Sequence, residues 1–130
     1  MKKLTPVLLV EEIEPVLPFW VDRLGFEKTT EVPEGDRLGF VILRKGGVEI
    51  MYQTRHSVEN DVPALADLPT KGTFLFVEVE DLDAVERALG GVEPVVPRRK
   101  TFYGADELVL REPAGNVVTF AQFPPEPAPA

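Results

Sequence analysis

The chain has 130 residues, no cysteine, one histidine and a formal net charge of −8. That length fits one domain, or two small halves sharing a core. The missing thiols exclude disulfides, thiolate metal sites and cysteine nucleophiles. The acidity sets the chain against nucleic acid and anionic membrane surfaces. No apolar run approaches the roughly 20 residues of a membrane span, and with no signal peptide read at Met1-Lys2-Lys3 a cytoplasmic location is expected. Few Asn and Gln (Asn60, Asn116, Gln53, Gln122) beside 13 Pro fit a thermophile's avoidance of thermolabile side chains or the bias of a GC-rich genome.

In chain order, Leu4 to Val10 reads as a strand. Glu11-Glu12 then opens a helix, where carboxylates suit the positive end of the dipole. Ile13, Val16, Leu17, Trp20, Val21 and Leu24 form its apolar stripe, so Trp20 is expected in the core. Pro15 is tolerated in the first turn, Pro18 should bend or loosen the helix, and Gly25 caps it. Phe26 to Val32 is a second strand, ended by the turn Pro33-Glu34-Gly35-Asp36. Arg37 to Arg44 and Val48 to Gln53 form a hairpin about Gly46-Gly47. Residues 55–71 read as a crossing segment, with a short helix or loop over His56 to Leu68.

The order then returns. Thr73 to Val79 is a strand, Asp81 to Leu89 a helix, and Val92 to Pro97 a weak strand. The basic run Pro97-Arg98-Arg99-Lys100 reads as a solvated turn. Glu107 to Arg111 and Val117 to Gln122 make the last hairpin. Residues 123–130, rich in proline, read as a disordered tail. Val10-Glu11-Glu12-Ile13-Glu14-Pro15-Val16 is echoed by Val79-Glu80-Asp81-Leu82-Asp83-Ala84-Val85, and Leu43-Arg44 by Leu110-Arg111. The expected fold is therefore α+β: two βαβββ modules, residues 1–54 and 72–122, forming a curved mixed sheet with a concave cavity.

Period-2 alternation assigns the faces. Leu8, Val10, Ile50, Tyr52, Leu75, Val77, Val118 and Phe120 should face the helices. Thr5, Val7, Leu9, Glu49, Met51, Gln53, Phe74, Phe76, Glu78, Thr119 and Ala121 should line the concave side. A one-residue slip would exchange the two sets, and matching Gly46 to Gly115 sets Ile50, not Glu49, opposite Thr119.

With Pro6-Val7-Leu8, Phe19-Trp20 followed by Leu24-Gly25-Phe26, Val79-Glu80-Asp81-Leu82-Asp83 and Glu112-Pro113-Ala114-Gly115-Asn116 in place, the chain resembles the vicinal oxygen chelate superfamily. That group includes glyoxalase I, extradiol dioxygenases and bleomycin-resistance proteins. The resemblance covers residues 4–122. Glu112 and Ala114 depart from the family's Asp-Pro-Asp-Gly-Asn turn. The family's metal ligands, usually His, Glu, His and Glu on four strands, fall by resemblance on Thr5, Glu49, Phe74 and Thr119. Only Glu49 keeps a ligand-grade side chain, so the resemblance implies no metal, no cofactor and no catalytic residue. It implies a metal-free protein of bleomycin-resistance type that binds a small hydrophobic or cationic molecule, as a homodimer in that group. A glyoxalase-type metal-dependent lyase or isomerase, and a ligand-free scaffold, are the alternatives.

The ligand-binding residues expected are Thr5, Val7, Glu49, Met51, Gln53, Phe74, Phe76, Tyr103 and Thr119. Glu49 would meet a cationic or hydroxyl-bearing guest, or act as a lone base if burial raises its pKa; otherwise it is a relic carboxylate paired to an arginine or simply wet. Phe74, Phe76 and Met51 would form an apolar wall, or fill a collapsed cavity. Tyr103 would supply a hydroxyl donor or pack. Arg37 and Asp106 are rim groups, and His56 is a surface histidine or takes a minor role at the cavity mouth.

Overall fold

The computed structural model describes residues 3–66 and 72–125. Contacts divide the chain into two compact units, Met1–Lys71 and Gly72–Ala130. The first holds β1 (Val7–Val10), β2 (Glu27–Glu34), β3 (Arg37–Lys45), β4 (Val48–Thr54), α1 (Arg55–Asp61) and α2 (Pro63–Ala66). The second holds β5 (Phe74–Glu78), α3 (Leu82–Ala88), β6 (Val96–Lys100), β7 (Asp106–Arg111) and β8 (Val117–Gln122). Each unit builds a four-stranded mixed sheet, ordered β1-β4-β3-β2 and β5-β8-β7-β6. In both, the first strand runs parallel to the last, and the remaining pairs are antiparallel. Among the described residues no helix is long and apolar enough to cross a membrane.

A parallel pair needs a crossover, and the chain supplies helical turns for it. In the first unit the crossover is not the single regular helix expected. Glu14–Val16 is a 3-10 turn and Pro18–Arg23 a π-helical turn. Pro18 has no N–H to give back to the preceding turn, and Leu24 N–H instead donates to the Phe19 carbonyl at 3.2 Å, five residues back. The wider turn shifts the stripe. Ile13, Val16, Trp20 and Leu24 are buried as expected, but Phe19 joins them while Leu17 and Val21 are only half-buried. Gly25 closes the segment with φ 78°.

Trp20 anchors this core. It is 1% exposed, and its indole N–H donates to the Tyr52 hydroxyl at 2.8 Å. Phe19 and Phe26 meet its ring edge-on, each with centroids 5.0 Å away. Tyr52, Ile50, Val41 and Leu43 complete the buried face of the sheet. In the second unit Leu82 and Leu89 pack with Leu108, Leu110, Val118 and Phe120. Asp81 caps α3 by accepting from Ala84 N–H at 3.1 Å, and the Gln122 side chain accepts from Leu82 N–H at 2.8 Å.

Other expectations are adjusted in four places. β2 runs through Pro33 to Glu34, so the turn shrinks to Gly35-Asp36; an edge strand with an irregularity at Val32/Pro33 tolerates a residue that cannot donate. The basic run is not a solvated turn but β6 itself, and Val92 to Val95 precede the strand. Arg98 bridges from it to Asp83 on α3 at 2.5 Å and to Asp106 on β7 at 2.8 Å. Those bonds raise the Arg98 pKa above its ordinary value, and the Arg98 hydrogen bond lowers that of Asp106. Phe123 is placed rather than disordered, with its ring against Phe76 and Tyr103. The expectation for residues 126–130, and that for Asp67 and Leu68, fall outside the described residues.

The Glu112–Asn116 turn shows what its sequence is for. Asn116 N–H donates to the Glu112 carboxylate at 2.7 Å, and the Asn116 side-chain oxygen accepts from Thr73 N–H at 2.8 Å. The turn thereby fixes the start of β5. Two variants test these accounts. Trp20→Ala should lower stability by about 3–5 kcal/mol as a core truncation, read from urea unfolding. Asn116→Ala should cost about 1–3 kcal/mol by orphaning a backbone donor, and should speed amide exchange at Thr73 before it affects the first unit.

Candidate functional site

Each sheet has one face under its helical turns and one face without them, and the expected ligand residues lie on the second face of their own unit. In the first unit, Val7 stands beside Met51 and Leu9 beside Gln53 in the β1–β4 register. Across to β3, Glu49 pairs with Arg44, Met51 with Ile42 and Gln53 with Phe40. Val7 is exposed, and Thr5, Glu49, Met51 and Gln53 are half-buried. Phe40 and Val32 extend this face into a groove of 640 Å³ with Gln53, Ser57 and Asn60. The sequence reading missed both, although strand alternation from Val41 and Leu43 points Phe40 to this side.

The Glu49 carboxylate is already engaged. The Thr5 hydroxyl donates to it at 3.2 Å and the Lys3 ammonium sits 2.7 Å away. The Lys3 hydrogen bond holds its pKa below the ordinary glutamate value, outweighing the opposing effect of burial; the Thr5 bond and the charges of Lys3 and Arg44 add to the lowering. The lone-base reading required the opposite direction, so Glu49 is corrected to a paired, ionised carboxylate whose partner is a lysine, not the arginine anticipated.

In the second unit the matching face is aromatic. Phe74 is 84% exposed and Phe76 57%. Phe123 lies 6.4 Å from Phe76 and 6.3 Å from Tyr103 by ring centroids, and Phe102 meets Tyr103 edge-on at 5.1 Å. Two of these rings, Tyr103 and Phe123, line a groove of 1070 Å³ together with Glu78, Glu80, Gln122 and Pro124; its volume suits a drug-sized ligand. Tyr103 does more than pack: its hydroxyl donates to Glu107. Glu107 is a third residue the sequence reading left out of the site. Ala121, expected on this face, is fully buried and offers no contact surface.

The register settles the one-residue ambiguity. Lys45 pairs with Val48 across two turn residues, whereas Glu112 meets Asn116 across three. The second turn is longer by one, so aligning the glycines misplaces the strand after them. The buried pairs Leu43/Ile50 and Leu110/Val118 correspond. Glu49 therefore matches Val117, which pairs with Phe74, while Thr119 pairs with Phe76.

In neither unit do the residues at these positions fit a divalent metal. Thr5 offers a neutral hydroxyl, Phe74 and Val117 are hydrocarbon, and the Glu49 carboxylate already holds Lys3 and Thr5. Such sites need several N or O donors converging from rigid elements. Among the described residues no three His, Asp or Glu side chains converge in that way. Of the remaining expectations, His56 is 72% exposed at its side chain and lies 3.0 Å from Glu34. Arg37 pairs with Glu12, and Asp106 pairs with Arg98, in a smaller groove that Phe123 also lines.

No known family profile matches the chain, and no curated protein matches it. Solved structures do. A glyoxalase/bleomycin resistance protein/dioxygenase from Nocardioides is 18% identical over 100% of this chain and 89% of its own, with a TM-score of 0.70. A bleomycin-binding protein from bleomycin-producing Streptomyces verticillus, complexed with copper(II)-bleomycin, is 27% identical over 95% and 98%, with a TM-score of 0.63. A glyoxalase-related enzyme from Fulvimarina pelagi is 15% identical over 98% and 94%, with a TM-score of 0.69. The chain has the α+β glyoxalase/bleomycin-resistance fold, and the resemblance to the vicinal oxygen chelate superfamily read from its sequence holds.

Because the Glu49 pKa is lowered on folding, its contribution to stability is present above the ordinary glutamate value. It is lost as pH falls through the lower, folded value. A carboxyl NMR titration should place Glu49 below free glutamate, and Lys3→Ala should move it upward.

Proposed function

We propose that this chain is a metal-independent small-molecule-binding protein of the glyoxalase/bleomycin-resistance type, that it sequesters a hydrophobic or cationic compound, and that it works as a homodimer without catalysing a reaction. The observation that carries this reading is the ring-rich face of the second sheet, where Phe74 and Phe76 stay largely exposed and Phe123 lies against both Phe76 and Tyr103. Large exposed apolar groups clustered beside a groove mark binding surfaces more often than chance. Stacking on rings takes a planar or apolar guest without reactive chemistry.

The residues proposed for ligand contact are Thr5, Val7, Glu49, Met51 and Gln53 on the first unit, and Phe74, Phe76, Tyr103 and Thr119 on the second, each set at the uncovered face of its own sheet. Metal independence is supported by the donor set at Thr5, Glu49, Phe74 and Val117. Binding is supported, by fold-level analogy, by the bleomycin-binding structure, which was solved with copper(II)-bleomycin. Leu4 at 90% and Phe102 at 99% exposure give further apolar surface for a second copy to cover.

Native mass spectrometry of freshly purified protein is expected to show a dimer that carries a small organic molecule and no stoichiometric metal. Phe76→Ala should weaken retention of that molecule about tenfold or more, as loss of one stacking ring. A stoichiometric metal lost with Glu49→Ala would instead support a glyoxalase-type lyase or isomerase. A bare dimer with no guest would support a scaffold.

A further inference from the structure

Each unit presents a carboxylate among the residues of its uncovered face, and the two differ in how their charge is met. Glu49 has Lys3 at 2.7 Å. Glu107 is 3% exposed and has a neutral partner, the Tyr103 hydroxyl. Among the described residues no lysine or arginine lies within ion-pair distance of Glu107. Its cross-strand neighbour Arg99 is exposed and unbonded to it, and Arg98 is spent on Asp83 and Asp106.

Alternation fixes which way Glu107 faces. Leu108 and Leu110 are buried on the α3 side of β7, so Glu107 and Val109 lie on the other side. The register places Glu107 opposite Ala121, and Ala121 beside Glu78. Glu78 and Glu80 line the groove that Tyr103 and Phe123 share. Carboxylates and aromatic ring faces are the two groups that attract an organic cation, and here they occur together. A buried carboxylate with only a neutral donor leaves most of its accepting capacity unfilled.

We propose that Glu107, gated by Tyr103, is the charge-selecting group of the ligand face, and that it favours an organic ammonium carrying an apolar or aromatic body. The ammonium takes the place of the Tyr103 hydroxyl on Glu107, and the body lies on Phe123 and Phe76. Tyr103 can yield because it sits in the Thr101–Ala105 turn, which is closed at its ends by the Thr101 N–H bond to the Ala105 carbonyl at 2.8 Å. Its own ring is half exposed. The Tyr103 phenol is held above its ordinary pKa, chiefly by the hydrogen bond to Glu107, so it remains a donor that a cation can replace. This proposal rests on the reading of the chain as a small-molecule binder.

The test compares benzylammonium, whose N–H groups can replace the Tyr103 donor, with its neutral isostere ethylbenzene by saturation-transfer NMR on the full chain. The cation is expected to bind about tenfold more tightly. Glu107→Gln should erase that preference while leaving affinity for the neutral probe within about twofold. Tyr103→Phe, which removes the competing donor and keeps the ring, should strengthen cation binding roughly threefold. Glu93→Gln, which removes an exposed charge elsewhere on the same unit, should change neither. Equal binding of both probes, binding of neither, or a preference that survives Glu107→Gln in folded protein overturns the proposal. Should Glu107→Gln fail to fold, Tyr103→Phe decides it: an unchanged or weaker cation affinity overturns the proposal. The guest found by native mass spectrometry judges the binding reading separately, since a neutral guest leaves that reading standing while the charge selection falls.

Discussion

Each sheet pairs its first strand parallel to its last, and the rest of the structure follows from that constraint. A parallel pair cannot be joined by a tight turn, so the chain must cross over one face with helical segments. Trp20 and Phe19 in the first unit, and Leu82 and Leu89 in the second, are the side chains that cover that face. The opposite face is built from side chains arranged by strand alternation, with Ser57 and Asn60 of α1 reaching its groove in the first unit. The chemistry of that face in either unit is therefore set at every second residue of its strands.

The two uncovered faces have diverged in charge and texture. In the first unit the carboxylate at Glu49 is neutralised from within the chain by Lys3, and the neighbours are mostly aliphatic or amide. In the second, rings dominate and the carboxylate at Glu107 is met by a phenol. The two units thus meet an acid on the uncovered face in two ways, one with an internal ion pair and the other with a neutral hydrogen-bond donor. The chain's net charge of −8 favours the approach of a cation, although long-range attraction does not choose the residue that receives it.

Hydrogen-bonded turns do much of the positioning. Asn116 sets the entry of β5 and Gln122 the entry of α3, so the last hairpin holds both ends of the crossover it closes. Arg98 adds a charged tie from β6 to α3 and β7. These contacts explain why a run of basic residues on an acidic chain is structural here: its acids are far apart in sequence and adjacent in the sheet.

Periodicity and punctuation in the amino-acid order were enough for the repeat, the α+β class, most strand limits and the burial of Trp20, Tyr52, Val118 and Phe120. Those features depend on neighbours two to four residues apart, which a reader of the chain can see. The π turn after Pro18, the extra residue in the Glu112–Asn116 turn and the strand over Arg98 were not legible: the first two turn on which carbonyl or carboxylate a local N–H selects, and the third on ion pairs with distant segments. The ligand face was half legible. Alternation pointed to Phe74, Phe76 and Glu49, whereas pairing decided their chemistry. Only the folded chain brings Lys3 onto Glu49, Tyr103 onto Glu107 and Phe123 between two rings. Electrostatic partners act through space, and their order along the backbone does not reveal them.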